Sequence, residues 1–305
     1  MIRIVGTILA GLLGLAFGSF LNVCLSRWPE GESVVKPRSH CRNCGRTLEW
    51  WENVPLASWI ALRGRCRTCK ATISWRYPLV ELSIAALWGV AACRSISTIT
   101  AGEVSANGFW EEIVLVLSMM LFVWVVVALA FLDAEHFWLP DWLTLPAIAL
   151  GIAFKVTVSA IGYYVPLCWH CDYVPLGCLD CVTPLRAGVI SLLSASAAAG
   201  LILLIRWTYW LVRRREGIGL GDAKLMAMLG AWMSLSGALL SFTIGVMLGA
   251  VFALVILAVP AARRESDTWL LSKLPLGTFL CIGGIVSALW GQPIIAAYLR
   301  WVGLS

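Results

Sequence analysis

The sequence predicts an all-α bundle that crosses a membrane about eight times, with a small cysteine-bearing cytoplasmic domain between the first two helices. Three observations predict it. The 305-residue chain is 60% apolar and only 13% charged, whereas soluble domains carry about 25% charged residues. Its charges are gathered between apolar runs of about 18 residues or more, the length that spans a bilayer as helix. Lys and Arg also mark alternate connections. Ten of the 23 lie between Arg27 and Arg76, and others cluster at Arg206, Arg213, Arg214 and Arg215 and at Arg263, Arg264 and Lys273. Basic connections stay on the cytoplasmic side. The net charge of +6 therefore reports topology and does not point to nucleic acid, while 17 Trp suit a chain with long membrane interfaces.

The elements follow in order. Ile4–Leu25 is too long for a signal-peptide core, and no small-residue cleavage site precedes Arg27-Trp28-Pro29, so it is read as a retained helix. Residues 1–26 thus form the first transmembrane segment, 27–77 the cytoplasmic domain and 78–305 the remaining membrane domain. Within the last, helices are expected over Pro78–Ala92, Ile113–Leu132, Asp141–Val165, Leu185–Trp207, Asp222–Ser236, Gly237–Ala261 and Thr278–Leu299. Pro140 opens the Asp141 helix, where a missing amide hydrogen is harmless. Outer loops are expected at Cys93–Glu112 and 166–184.

Two carboxylates sit where lipid is expected. Asp133 closes the apolar run Ile113–Leu132, and Asp222 follows the turn Gly217-Ile218-Gly219-Leu220-Gly221 and opens another run. A carboxylate at a membrane edge is costly to desolvate and usually has a task or a partner. Alternating spans bring both to the inner face. A close pair of carboxylates can hold one proton and activate water against a peptide carbonyl. With Asp133 at a helix C-terminus and Asp222 at an N-terminus, the helix dipoles make Asp222 the expected base and Asp133 the expected acid. The structural alternatives are an N-cap for Asp222 and a solvated helix end for Asp133. Asp141 is expected to cap its helix, and Glu135 and His136 to be solvated.

The inner domain holds Cys41-Arg-Asn-Cys44 and Cys66-Arg-Thr-Cys69, with 21 residues between the pairs. This is close to the spacing of a four-thiolate zinc site, which would be structural because no position is left for water. Four free thiols in a reducing compartment are the alternative. A tighter set, Cys168, Cys171, Cys178 and Cys181, lies in the outer loop, where spacing does not separate zinc from two disulfides. Cys24, Cys93 and Cys281 read as small apolar residues.

Several segments together resemble the prepilin peptidases, or type IV leader peptidases, which are membrane aspartic peptidases of the GxGD type. They are Gly18-Ser-Phe-Leu-Asn-Val23 with Arg27-Trp-Pro29, the stretch Ser39–Leu82 with both cysteine pairs, Asp133 with Leu139-Pro-Asp-Trp-Leu-Thr144, and Gly219-Leu-Gly-Asp222. The resemblance covers nearly the whole chain. It implies a multi-pass protein of the bacterial inner membrane with its active site facing the cytoplasm and Asp133 and Asp222 as the catalytic pair. It implies substrates of the prepilin or pseudopilin kind, serving type IV pili or type II secretion. Their basic leader would be cut and the new N-terminus methylated with S-adenosylmethionine, since bifunctional members carry the cysteine domain. The outer cysteine loop departs from the family pattern. Glu49 and Glu52 are candidates for recognising a basic leader.

Rival readings are a methyltransferase without proteolysis, a proton-coupled transporter and a zinc-bearing scaffold. A transporter needs polar residues through the bilayer centre, and Lys155 alone interrupts the apolar centres of the relevant runs.

Overall fold

The computed structural model describes residues 2–100, 108–161, 183–215, 219–258 and 274–303. Among these residues the helices are α1 (Ile2–Arg27), α2 (Ala57–Ala61), α3 (Arg76–Thr100), α4 (Gly108–His136), α5 (Asp141–Ala160), α6 (Pro184–Arg213), α7 (Leu220–Ala258) and α8 (Leu276–Val302). No strand occurs among them; extended pairing is limited to the isolated bridges His40–Thr47 and Arg65–Thr72. All helices except α2 are long and apolar enough to cross a membrane. Large apolar side chains such as Leu12, Leu117, Leu193 and Leu254 stay exposed along them, as expected where lipid is the solvent. The chain is a multi-pass membrane protein with the all-helical fold the sequence predicts.

Several boundaries move. The second predicted helix lengthens to Arg76–Thr100 and the third to Gly108–His136, so most of the expected loop Cys93–Glu112 is helical. The fifth runs on to Arg213 through residues expected in an inner loop. In each case apolar and polar residues continue the turn beyond the lipid-length run, because a helix need not stop at the headgroups. The outer cysteine set, with its choice of zinc or disulfides, lies outside the described residues.

The two helices expected over residues 222–261 appear as one run, α7, broken at Ser234 (φ 64°, ψ 175°). The span Leu220–Ile256 has 37 residues. As straight helix it would measure about 55 Å, against a hydrocarbon core of about 30 Å. The break is where that excess is resolved. Beside it Lys155 of α5, only 5% exposed, donates from Nζ to Ser234 Oγ at 2.5 Å. The lysine that interrupts an apolar run thus meets the residue that interrupts the helix.

Contacts divide the chain into two compact units, Met1–Ala128 and Leu129–Ser305. In the first, glycines of α1 let it approach α3 closely: a Cβ on Gly14 would lie 2.7 Å from Ala85 Cα, and one on Gly18 2.7 Å from Glu81 Cα. Small residues serve helix contacts in lipid this way. The pair is closed at one end by Asn22, whose Nδ2 donates to the Tyr77 carbonyl at 2.9 Å.

In the second unit, Gly230 fits against the α6 backbone at Ser194 and Ala195, and Gly283 of α8 against α7. The Trp232 ring fills the notch at Gly151 and donates from Nε1 to the Ala147 carbonyl at 2.8 Å. A Cβ on Gly283 would stand 2.3 Å from the Ser241 carbonyl oxygen. Because that neighbour is backbone, Gly283→Ala is expected to destabilise the unit by about 1–3 kcal/mol or more, read as a lower unfolding temperature in detergent.

Candidate active site and metal centre

Asp133 and Asp222 both belong to the second unit. Asp133 stands one turn before the end of α4, which continues to His136. It lies in the last turn, at the C-terminal end of its helix as the sequence predicts. Its carboxylate faces the N-terminal turn of α8. Thr278 donates to Asp133 Oδ2 from its backbone N–H at 2.6 Å and from Oγ1 at 3.0 Å. Because the α8 N-terminus also acts on Asp133, helix-end reasoning no longer separates the two carboxylates.

Asp222 lies in the first turn of α7 and takes a hydrogen bond from the Gly219 backbone. Gly221 leaves room for Leu139: a Cβ there would meet the Leu139 side chain at 3.1 Å. The register of α7 is held by Lys224, whose Nζ pairs with Asp141 Oδ1. Asp141 therefore has a partner on α7, and the α5 N-cap is Pro140, without a side-chain cap. Glu135 and His136 are exposed.

The two aspartates are 6% and 8% exposed. The charge of Asp133 acts on Asp222, and both act on the fully buried Cys281 of α8. Residues 89 positions apart in sequence (222 minus 133) thus come near enough for the charge of one to act on the other. Three helices contribute: α4 and α7 the carboxylates, α8 the donors. Sequence reasoning missed the third. Its only signal is Pro275-Leu-Gly-Thr278 ahead of an apolar run, a helix start with no charged residue to mark it.

Gly277 backs Asp133 directly. A Cβ at that position would lie 2.9 Å from Asp133 Cγ and Oδ2, so the carboxylate would have to move. Gly277→Ala is expected to lower turnover about a hundredfold, since displacements of about 1 Å cost that much. Steady-state cleavage rates check this.

The four cysteines of the first unit converge. The sulfurs of Cys41, Cys44, Cys66 and Cys69 all lie within 4.8 Å of one another, and Cys41 and Cys69 are 3.8 Å apart. A tetrahedral Zn–S bond of about 2.3 Å sets sulfurs about 3.8 Å apart, so the donor set fits a tetrahedral thiolate metal such as zinc. Each pair sits in a matching knuckle. The Cys41 amide donates to the Arg46 carbonyl at 2.9 Å and the Cys66 amide to Ala71 at 2.8 Å. The turn residues Gly45 and Lys70, each four past the first cysteine, have φ of 70° and 59°.

The thiols are unequal. The Asn43 side chain and the Ala71 amide pull Cys69 down to about 6, and the amides of Cys69 and Thr68 lower Cys66. The Arg46 amide lowers Cys44, but burial and the sulfurs of Cys41, Cys69 and Cys66 outweigh it and push Cys44 up to about 11. Crowded sulfurs cannot all ionise without a cation between them.

Glu49 and Glu52 close this domain internally. Buried Glu52 pairs with Arg46 at 2.6 Å, and the two glutamates form a reciprocal capping box. The Arg46 guanidinium holds the Glu52 carboxyl below the usual carboxylate range. The Glu52 side chain is engaged in the domain's own structure, while that of Glu49 stays half exposed.

Two buried carboxylates on membrane-spanning helices, in a chain that also carries a four-cysteine knuckle, define a multi-pass membrane protein with ionisable groups where lipid is expected. Residues 12–95 match the bacterial peptidase A24 N-terminal domain, and residues 120–254 match the type IV leader peptidase family. The chain is 33% identical to a prepilin leader peptidase/N-methyltransferase of Stutzerimonas stutzeri, covering 96% of this chain and 93% of that one. It is 34% identical to one of Pseudomonas aeruginosa with the same coverage. One of Myxococcus xanthus is 37% identical over 81% of this chain and 62% of its own. No solved structure shows significant similarity to the chain. The chain belongs to the type IV leader peptidase family: it is a membrane aspartic peptidase with methyltransferase activity.

Proposed function

We propose that this enzyme removes the short basic leader of type IV prepilins or pseudopilins at the cytoplasmic face of the bacterial inner membrane, with Asp133 and Asp222 as its catalytic pair. It then methylates the new N-terminus. The observation that supports the reading is that Asp133 and Asp222 are both buried in one unit, with the charge of Asp133 acting on Asp222. The basic connections support the cytoplasmic side.

The chemistry needs the pair to hold one proton between them. One carboxylate takes a proton from water as its oxygen adds to the scissile carbonyl carbon. The other gives its proton to the carbonyl oxygen. When the tetrahedral centre collapses, the C–N bond breaks, the new amine leaves with a proton from the dyad, and a hydroxyl of the tetrahedral centre gives one back, leaving a carboxylic acid and a singly protonated pair. The substrate's apolar helix remains among lipid and protein helices while its leader lies in water.

Cys41, Cys44, Cys66 and Cys69 would hold zinc as a structural ion, since four sulfurs close its coordination. The methyl donor would be S-adenosylmethionine, and no described residue is assigned to holding it. Cleavage of a precursor with a basic leader, a Gly–Phe junction and an apolar helix tests the reading in native membranes. Labelled methyl should then appear on the cut product alone. An uncut precursor in the presence of folded enzyme would overturn it.

A further inference from the structure

Resting on the peptidase reading above, we infer that Thr278 is a positioning residue: it fixes the Asp133 carboxylate through Oδ2 and leaves Oδ1 as the oxygen that meets water or substrate. Oδ2 accepts from the Thr278 backbone N–H at 2.6 Å and from the Thr278 hydroxyl at 3.0 Å. Two donors point at that oxygen, the backbone N–H alone and the hydroxyl in competition with the Ala130 carbonyl. A proton shared within the dyad and carried by Asp133 therefore resides on Oδ1.

The same hydroxyl lies 3.1 Å from the Ala130 carbonyl oxygen. Ala130 is on α4, one turn before Asp133. With one hydrogen to give, the hydroxyl shares it between Asp133 Oδ2 and this carbonyl, so Thr278 sits between the carboxylate and the backbone of the helix that carries it. Gly277 closes the adjoining side, where a Cβ would be 2.9 Å from Asp133 Oδ2 and 3.2 Å from Oδ1. The titratable groups that act electrostatically with Asp133 here are Asp222 of α7 and Cys281 of α8.

Correct placement of a reacting group is worth far more than the hydrogen bond that secures it, because small displacements are felt in the rate. Thr278→Val keeps the shape and the backbone N–H and removes only the hydroxyl. It is expected to lower kcat about tenfold to a hundredfold with KM within about twofold of wild type, since substrate binding is untouched. Thr278→Ser restores the hydroxyl and is expected to recover kcat to within about threefold.

The three enzymes would be compared with Asp133→Asn in membranes, using the same precursor for cleavage and an already cut product for methylation. An unchanged unfolding temperature in detergent shows that each variant is folded, and methylation at the wild-type rate confines the loss to cleavage. Full kcat in Thr278→Val, equal loss in Thr278→Ser and Thr278→Val, or a loss confined to KM would each overturn the positioning role. If Asp133→Asn itself cuts at the wild-type rate, the peptidase reading fails first. If Asp133→Asn is inactive and Thr278→Val is not, only the role of Thr278 fails.

Discussion

Asp133→Asn and Asp222→Asn are each expected to lower precursor cleavage about a thousandfold or more, and the double variant to be no slower than the worse single one. Removing a general acid or base costs about 10²- to 10⁴-fold. Groups that act as a unit are not additive, because the first loss already disables the second. A thousandfold corresponds to about 4 kcal/mol of transition-state stabilisation. Asparagine keeps the size of the side chain and still accepts from Thr278, and it removes one of two like charges in a buried site. Folding should therefore be preserved or improved, so unfolding temperature in detergent separates catalysis from stability. A single variant that cuts at the wild-type rate would remove its residue from the chemistry. The assignment would then pass to Asp141 or Glu135, although Asp141 is already paired with Lys224.

Metal removal should have the largest effect on structure. Structural zinc sites contribute about 10–16 kcal/mol of binding free energy, which is folding free energy for a small domain. The stretch from Arg27 to Arg76 contains only 3₁₀ turns, the five-residue α2 and two isolated bridges, too little regular structure to hold itself. Purified enzyme is expected to contain about one zinc ion per chain. Cys66→Ser, or prolonged chelation, should abolish that content and open the domain to protease between its arginines. Metal analysis and limited proteolysis check this together. A metal-free preparation whose domain resists protease would show that hydrogen bonds and the Arg46–Glu52 pair suffice.

Much of this was legible in the sequence because its signals are local. Apolar length marks a span, two CxxC pairs mark a knuckle, and an acidic residue beside lipid marks a site. What stayed hidden depends on partners far apart in the chain. Thr278 meets Asp133 across 145 positions, and threonine at a helix start is ordinary. Lys155 stood out as a charge in an apolar run, but its contact with Ser234 is 79 positions away. The break in α7 falls at Ser234, two residues before the expected end of the first half, and nothing in the local residue types compels φ of 64° there. Helix ends were misplaced where apolar length was taken as helix length.

The cysteine domain enters from the end of α1 and returns at the start of α3, and those two ends are joined by the Asn22–Tyr77 hydrogen bond. The helices between which it sits pack on each other through Gly14 and Gly18 of α1. An insert whose two ends are already adjacent can be gained or lost in one genetic event without tearing the framework around it. A descendant that no longer needed a second activity could therefore shed the whole domain, replace it with a tight turn and keep the hairpin intact.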